Sequence, residues 1–527
     1  MLLHDMLYKI RKNAKLSQEE FAGLFKVSRQ AVQKWESGSS APEISKLVEI
    51  SKYFGISLDA LILNRGKRTV EEITYGKELR PEYGLSGEWD SYADYILDEY
   101  RQSAEEGLDI EMYKNLFDDV SMLPRGEIRN NFADILFKAV INAKTADGFK
   151  YTEPSTLEEI KALRKPSALS GKVDKSALRS KIEGAWYGRI CGCMLGKSVE
   201  SVRSNEFIPF LKETGNFPLH RYIYRSDLND DICSKYNFAF ANKIFADEID
   251  GMPADDDTNY IVLGQLIVDR YGRDFTPLNV SRAWLDCQPK NAYCTAERVA
   301  YCNFIRGYNP PQSAMFKNPY REWIGAQIRG DYYGYINPGN PEAAAEMAWR
   351  DASISHVKNG IYGEMFASAM IAAAAVTDDM EKIVAEGLAQ IPSTSRLFES
   401  VSEVVEKYKN GETMEDILQY VRGKYDEHTE YGWCHTIPNA MIVAASLLFG
   451  GGDYAKTICT AVQACFDTDC NGATVGSIVG MAKGISAISD YWRKPIKNTL
   501  HTGIFGLETV DIDKRIDLNM EHIENKK

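Results

Sequence analysis

Two glycine series limit what this chain can fold into more than any other feature. Gly184, Gly188, Gly192 and Gly196 recur at every fourth position, and so do Gly472, Gly476, Gly480 and Gly484. A helix keeps i and i+4 on one ridge, so each series makes a strip without side chains. Each glycine costs a helix interior about 1 kcal/mol relative to alanine. A fold that keeps them must offset that cost by very close helix packing or by close approach of a ligand to bare backbone. Alanine-rich stretches at 343–345, 367–376 and 440–448 favour packing, and period-two runs are scarce. The expectation is an all-α body of tightly packed helices over residues 180–510.

Two acidic knots lie far apart along this body: Asp255-Asp256-Asp257-Thr258 and Asp467-Thr468-Asp469. Neighbouring ionised carboxylates repel, so such knots are costly unless a cation or solvent satisfies them. Hard divalent ions such as Mg²⁺ take oxygen ligands of this kind. The second knot runs into an expected helix from Cys470 onward, which puts its carboxylates at a helix N-terminus. Two solvated Asp-rich turns would be the plain alternative. Read together, the knots point to a metal-dependent hydrolase. Gly450-Gly451-Gly452 has no Lys-Ser/Thr after it and is not a triphosphate loop.

The 527 residues suffice for several domains. No apolar run is long and charge-free enough to span a bilayer, and the start does not read as a secretion signal. Ten cysteines without a CxxC pair suit reduced thiols, and a cytoplasmic protein with no membrane partner is expected. The net charge of −13 divides unevenly: residues 1–68 carry 12 Lys and Arg against 7 Asp and Glu, so a basic head precedes an acidic body. That split suggests a nucleic-acid-binding module joined to something else.

The head reads as five short helices. Ser17 with Glu20 forms a capping-box pattern, and Ser28 caps the next helix. There Ala31, Val32 and Trp35 face inward, leaving Arg29, Gln30, Gln33 and Lys34 outside. Leu-Ser-Gln-Glu-Glu, then Val-Ser-Arg-Gln-Ala-Val-x-Lys-Trp-Glu-x-Gly, then Gly-Ile-Ser-Leu-Asp resembles the repressor-type helix-turn-helix family across residues 1–68. The resemblance implies that the helix from Ser28 enters the major groove, with Arg29 and Gln30 at base edges, Gln33 on the same exposed face, and Gln18 and Lys34 at phosphates. One such head reads a half-site, so a homodimer is expected. A solvated face on a protein-docking bundle is the alternative.

Residues 69–179 read as a helical connector, with Tyr92, Tyr95, Ile96 and Tyr100, and Phe132, Ile135, Leu136 and Val140, as core stripes. Its end, from 145, suggests a linker. Residues 511–527 read as a polar tail.

Four motifs in order make residues 180–490 resemble the ADP-ribosylglycohydrolases. They are Gly192-Cys193-Met194-Leu195-Gly196-Lys197-Ser198-Val199-Glu200, Asp255-Asp256-Asp257-Thr258, Ser355-His356 with its glycine- and alanine-rich helix, and Asp467-Thr468-Asp469-Cys470 running to Gly484. The resemblance implies an all-helical hydrolase with one or two Mg²⁺ ions, or Mn²⁺, that cleaves an N- or O-glycosidic bond of an ADP-ribosyl or related substrate. Asp256, Asp257, Asp467 and Asp469 carry over as metal ligands, with Asp255 able to supply an oxygen. Glu200 carries over as a base or ligand, and Asp256 and Asp257 share the catalytic centre with it. His356 is either a substrate contact or a hydrogen-bonded core histidine. Asp255 stands where the family has Thr or Ser, Cys470 replaces a closing Thr, and Cys193 replaces an Asp. These departures leave the second metal open. They also leave open whether the body turns over substrate or senses an ADP-ribose-like ligand on behalf of the head.

Overall fold

In a computed structural model, residues 3–56, 61, 81–236 and 243–524 are described. The chain divides into two compact units, residues 1–82 and 83–527. Among the described residues the only strands are Thr499–His501 and Thr509–Asp511, paired antiparallel; the rest of the regular structure is helical, as the sequence predicts.

The head holds helices Leu3–Asn13, Gln18–Leu24, Arg29–Glu36 and Ile44–Phe54 around Leu7, Phe21, Phe25, Val32, Trp35 and Ile50. Ser17 and Glu20 close the capping box, and the Ser28 hydroxyl accepts from the Ala31 amide at 3.1 Å. The expected fifth helix falls at residues 57–60, outside the described residues.

In the second unit the glycine series does what the spacing demands. Helices Leu178–Lys197 and Thr468–Lys483 lie antiparallel with their backbones in direct contact. A Cβ added at Gly184, Gly188 or Gly192 would lie 2.3, 2.2 or 2.1 Å from the carbonyl oxygen of Gly480, Gly476 or Gly472. Gly484 is different: its φ of 78° ends the second helix. Around this pair the alanine-rich helices Lys358–Ala374 and Thr436–Gly450 are buried on almost every side.

The connector, from residue 83 onward, belongs to the same unit as the body. Its helices Ile96–Glu105, Lys114–Met122 and Glu127–Asn142 share a small core. Buried ion pairs join it to the body: Arg321 reaches Glu99 at 2.8 Å and Glu106 at 2.5 Å. Residues 145–180, expected as a linker or a surface-running entry to the next domain, are pinned to the body through buried Glu153, which Arg396 holds at 2.8 Å, and the helix Leu178–Lys197 begins within them. The second core stripe needs correcting. Phe132 and Ile135 are exposed, and Ala133, Leu136, Phe137 and Val140 are the buried set, because this helix carries apolar residues on more than one side. The polar tail is also corrected: Ile512–Glu524 is an amphipathic helix that buries Ile512 and Ile516, and its Asn519 accepts from the Trp186 indole at 3.0 Å.

Candidate active site

The antiparallel glycine pair decides where the chemistry sits. It brings Lys197, at the end of the first helix, and Glu200 just beyond it, to the start of the second, where Asp467 is the N-cap and Asp469 lies in the first turn. A Cβ on Gly196 would lie 2.3 Å from the Asp469 amide, and the Thr468 hydroxyl donates to the Gly196 carbonyl at 2.9 Å. A third helix, Asp256–Tyr271, starts at the same place with Asp255 as its N-cap. Two helix N-termini therefore converge on the acids, and their partial positive charge favours carboxylates there.

The distant knots do meet. Ligand-type atoms of Asp257, Asp469 and Cys470 lie within 4.8 Å of one another, and so do those of Cys193, Asp255 and Asp257. All of these residues are buried. Asp257 is shared by both groups. Its Oδ1 receives Arg189, itself buried, at 2.9 Å, and Arg189 also reaches Asp331 at 2.7 Å. Asp255 accepts from the Lys197 ammonium at 2.5 Å, the Asp257 amide at 3.0 Å and the Cys193 thiol at 3.3 Å. Two oxygens remain without a hydrogen-bond partner at full burial: Asp257 Oδ2 and Asp469 Oδ1. An orphaned buried carboxylate oxygen costs several kcal/mol, on the order of what a cation would restore. The donor set is mainly hard oxygen, so it fits a divalent cation such as Mg²⁺ or Mn²⁺.

Electrostatics say the same. Burial, then the Asp255 charge, pushes Asp256 up to about 8. Burial, then Glu200, drives Asp469 well above the usual carboxylate range. Burial also raises Asp467 to about 7, although a hydrogen bond from Cys470 opposes it. Burial with Asp255 raises Glu200. Burial and the surrounding aspartates keep the Cys470 thiol protonated far above its ordinary range.

A cavity of about 320 Å³ opens on this cluster. Glu200, Asp256, Asp467, Asp469 and Cys470 line it, with Glu297, Trp323 and Trp433 on the walls. The four aspartates expected to act alike thus divide. Asp256 and Asp467 face the cavity and stand outside both close-set groups, whereas Asp257 lies behind it, tied to Arg189. His356 is not among the lining residues. It is buried with Nδ1 2.9 Å from the Ser355 hydroxyl, which accepts from Arg329, and its Nε2 has no hydrogen-bond partner. His435 caps helix Thr436–Gly450 by accepting from the Ile437 amide. A more open groove of about 580 Å³, lined by Lys161, Arg164 and Glu342, contains none of the acids.

Several residues here escaped the sequence reading. Arg189 carried a usable signal: an arginine inside a helix of glycines, buried all round, requires carboxylate partners. Lys197 was visible inside the first motif but had no assigned partner. Glu88 and Trp89, on the cavity wall, come from the connector, where no chemical motif was apparent.

The ADP-ribosylglycohydrolase family profile matches residues 174–520, about two thirds of the chain. The chain belongs to the ADP-ribosylglycohydrolase family. A helix-turn-helix profile matches residues 7–61, so this glycohydrolase-family domain is fused to a helix-turn-helix head. The head is similar to the HTH-type transcriptional activator BcrR of Enterococcus faecalis, 34% identical over 83 residues, 16% of this chain and 41% of that protein. The chain thus spans less than half of that relative. Among solved structures, one titled ADP-ribosylglycohydrolase-related protein complex is 15% identical with a TM-score of 0.42, covering 67% of this chain and all of that one.

In the head, Arg29, Gln30, Gln33 and Lys34 are exposed on one helix. Gln18 is part-buried, and its amide donates to Glu36 at 2.9 Å beside the buried Arg11–Glu36 pair. One of its donors is therefore committed within the fold. No helix among the described residues is long and apolar enough to cross a membrane.

Proposed function

We propose that the body hydrolyses an N- or O-glycosidic bond of an ADP-ribosyl or related ribosyl substrate, and that the head binds a specific DNA site. The observation that carries the first part is the pair of orphaned, buried oxygens on Asp257 and Asp469, which the fold brings together from opposite ends of the domain. Asp257 and Asp469 would hold a divalent cation, with Cys470 beside them. Bound there, the ion supplies polarisation of ribose oxygens and acidification of a water. Arg189 fixes the orientation of Asp257. Asp256 and Asp467, on the cavity wall, accept hydrogen bonds from sugar hydroxyls. Burial and the Asp255 charge raise the Glu200 carboxyl above its ordinary range, and its place on the cavity wall suits it to orient water at the anomeric carbon. The test is metal-dependent release of ADP-ribose from ADP-ribosylated arginine, serine or DNA. Asp256→Asn and Asp469→Asn should each reduce release at least 100-fold. Undiminished release after exhaustive chelation would reject the assignment.

A second reading, ligand sensing on behalf of the head, has one observation in its favour. The cavity wall includes Glu88 and Trp89, outside the family match and a few residues after the head's unit ends. Arg298 clamps this segment: it stacks on the Trp89 ring at 4.9 Å and donates to the Glu88 carbonyl at 3.0 Å. Trp89 has a φ of 59°, a conformation a tryptophan keeps only when its surroundings enforce it.

A further inference from the structure

The acidic cluster contains two close-set groups of ligand-type atoms, and the structure treats them differently. In the group of Cys193, Asp255 and Asp257, both oxygens of Asp255 are already taken by protein donors. The Lys197 ammonium sits 2.5 Å from Asp255 Oδ2, the Cys193 thiol and the Asp257 amide both donate to Asp255 Oδ1, and Arg189 takes Asp257 Oδ1. Lys197 is itself largely buried, with its side chain 18% exposed against an Asp255 side chain that is 2% exposed. In the group of Asp257, Asp469 and Cys470 the only protein cation paired among the described residues is Arg189, on Asp257 Oδ1; Asp257 Oδ2 and Asp469 Oδ1 are left without a partner.

We propose that Lys197 takes the place of a second metal ion: its ammonium, paired with Asp255, fills one half of the cluster, so the domain binds a single divalent cation, at Asp257 and Asp469. The proposal rests on the metal reading above. The carboxylate at 255, one of the departures from the family's motifs, is paired with a lysine at the end of a neighbouring helix, so its charge is neutralised within the fold. A lysine is a compact point charge on a flexible stem, suited to occupy an ion's position. A second dication beside Lys197 would meet ammonium repulsion, which a low-dielectric site strengthens.

The experiment uses the full chain, stripped with chelator, reloaded with Mn²⁺ and crystallised. Anomalous scattering at the manganese edge locates the ions, while metal analysis and electron paramagnetic resonance of the same preparation count them. The expected result is one Mn²⁺ per chain, a single anomalous peak at Asp257 and Asp469, an uncoupled six-line spectrum, and Lys197 still on Asp255. Lys197→Met should then admit a second ion and give a spin-coupled spectrum, whereas Lys197→Arg should keep the count at one. A second peak at Asp255 in the wild type overturns the proposal, and so does a folded Lys197→Met variant that still binds one ion. Should Lys197→Met fail to fold, the wild-type peak count decides alone. No bound Mn²⁺ in the wild type rejects the underlying metal reading instead, so the two failures are distinguishable.

Discussion

The glycine seam gives a sharp prediction about stability. Gly192→Ala adds one methyl group to a helix interior. Taken alone, that substitution favours the helix by about 1 kcal/mol. Here the new Cβ would lie 2.1 Å from the Gly472 carbonyl oxygen, backbone against backbone, with no side chain able to swing aside. Restoring ordinary van der Waals separation requires the two helices to part by roughly 1 Å, which opens gaps along the seam. Overpacking of this kind costs about 1–3 kcal/mol, and the rigid partner places this site at the upper end, so the net loss is about 2 kcal/mol. Gly423→Ala is the control. Gly423 lies in helix Met414–Lys424 of the same unit, and a Cβ there meets nothing within 4 Å. That variant should gain about 0.5–1 kcal/mol. Both are read by urea denaturation and calorimetry of the full chain. The two variants must move in opposite directions. Unchanged or raised stability in Gly192→Ala would show that the seam is looser than its contacts, and the account of the glycines would fail. Because the seam ends at Lys197 and Asp469, Gly192→Ala should also weaken Mn²⁺ binding, although no metal-site atom is altered.

Glu297 offers a pH test: burial pushes its carboxyl up to about 7 despite Arg329 at 2.7 Å. The folded state thus binds a proton that the unfolded chain has released by then, so this group's contribution falls as pH rises from about 4.5 through 7 and is level above. Glu297→Gln should flatten the stability curve between pH 5 and 8 by about 3 kcal/mol, and an unchanged slope would contradict the burial argument. Trp89→Ala should weaken ADP-ribose binding by roughly tenfold or more in calorimetric titration, as loss of an aromatic wall does. If ADP-ribose leaves the DNA affinity of the full chain unaltered, the sensing reading falls. For the head, Arg29→Ala should relax preference at one base position by about 1–3 kcal/mol, whereas Lys34→Ala should weaken all sequences alike and lower the salt slope by about one. A selection experiment on randomised duplexes separates the two, and a uniform loss with Arg29→Ala would remove it from base readout.

What could be read from the chain and what could not follow one physical division. Periodic features were legible because a helix converts spacing into a surface: the two glycine strips had to find something flat, and each was the only good partner for the other. Their antiparallel register then implies that the end of one meets the start of the other, which brings Glu200 toward Asp469. The capping boxes of the head were legible for the same reason, since caps act locally. Division of labour within the knots was not. Asp256 and Asp257 are adjacent in sequence but differ by about 100° of rotation about the helix axis, and the placement of Arg189 and Asp331 decides that 257 points inward. The connector shows the limit of periodicity itself. Helix Glu127–Asn142 has apolar residues on two sides, and the choice of Ala133 and Phe137 over Phe132 and Ile135 as the buried face is made by the surface it docks on. Trp89 lies further still from legibility, because a residue held by its neighbours in a left-handed conformation leaves no pattern in the sequence that precedes it. Local grammar specified the scaffold here; charge pairing across the fold specified the site.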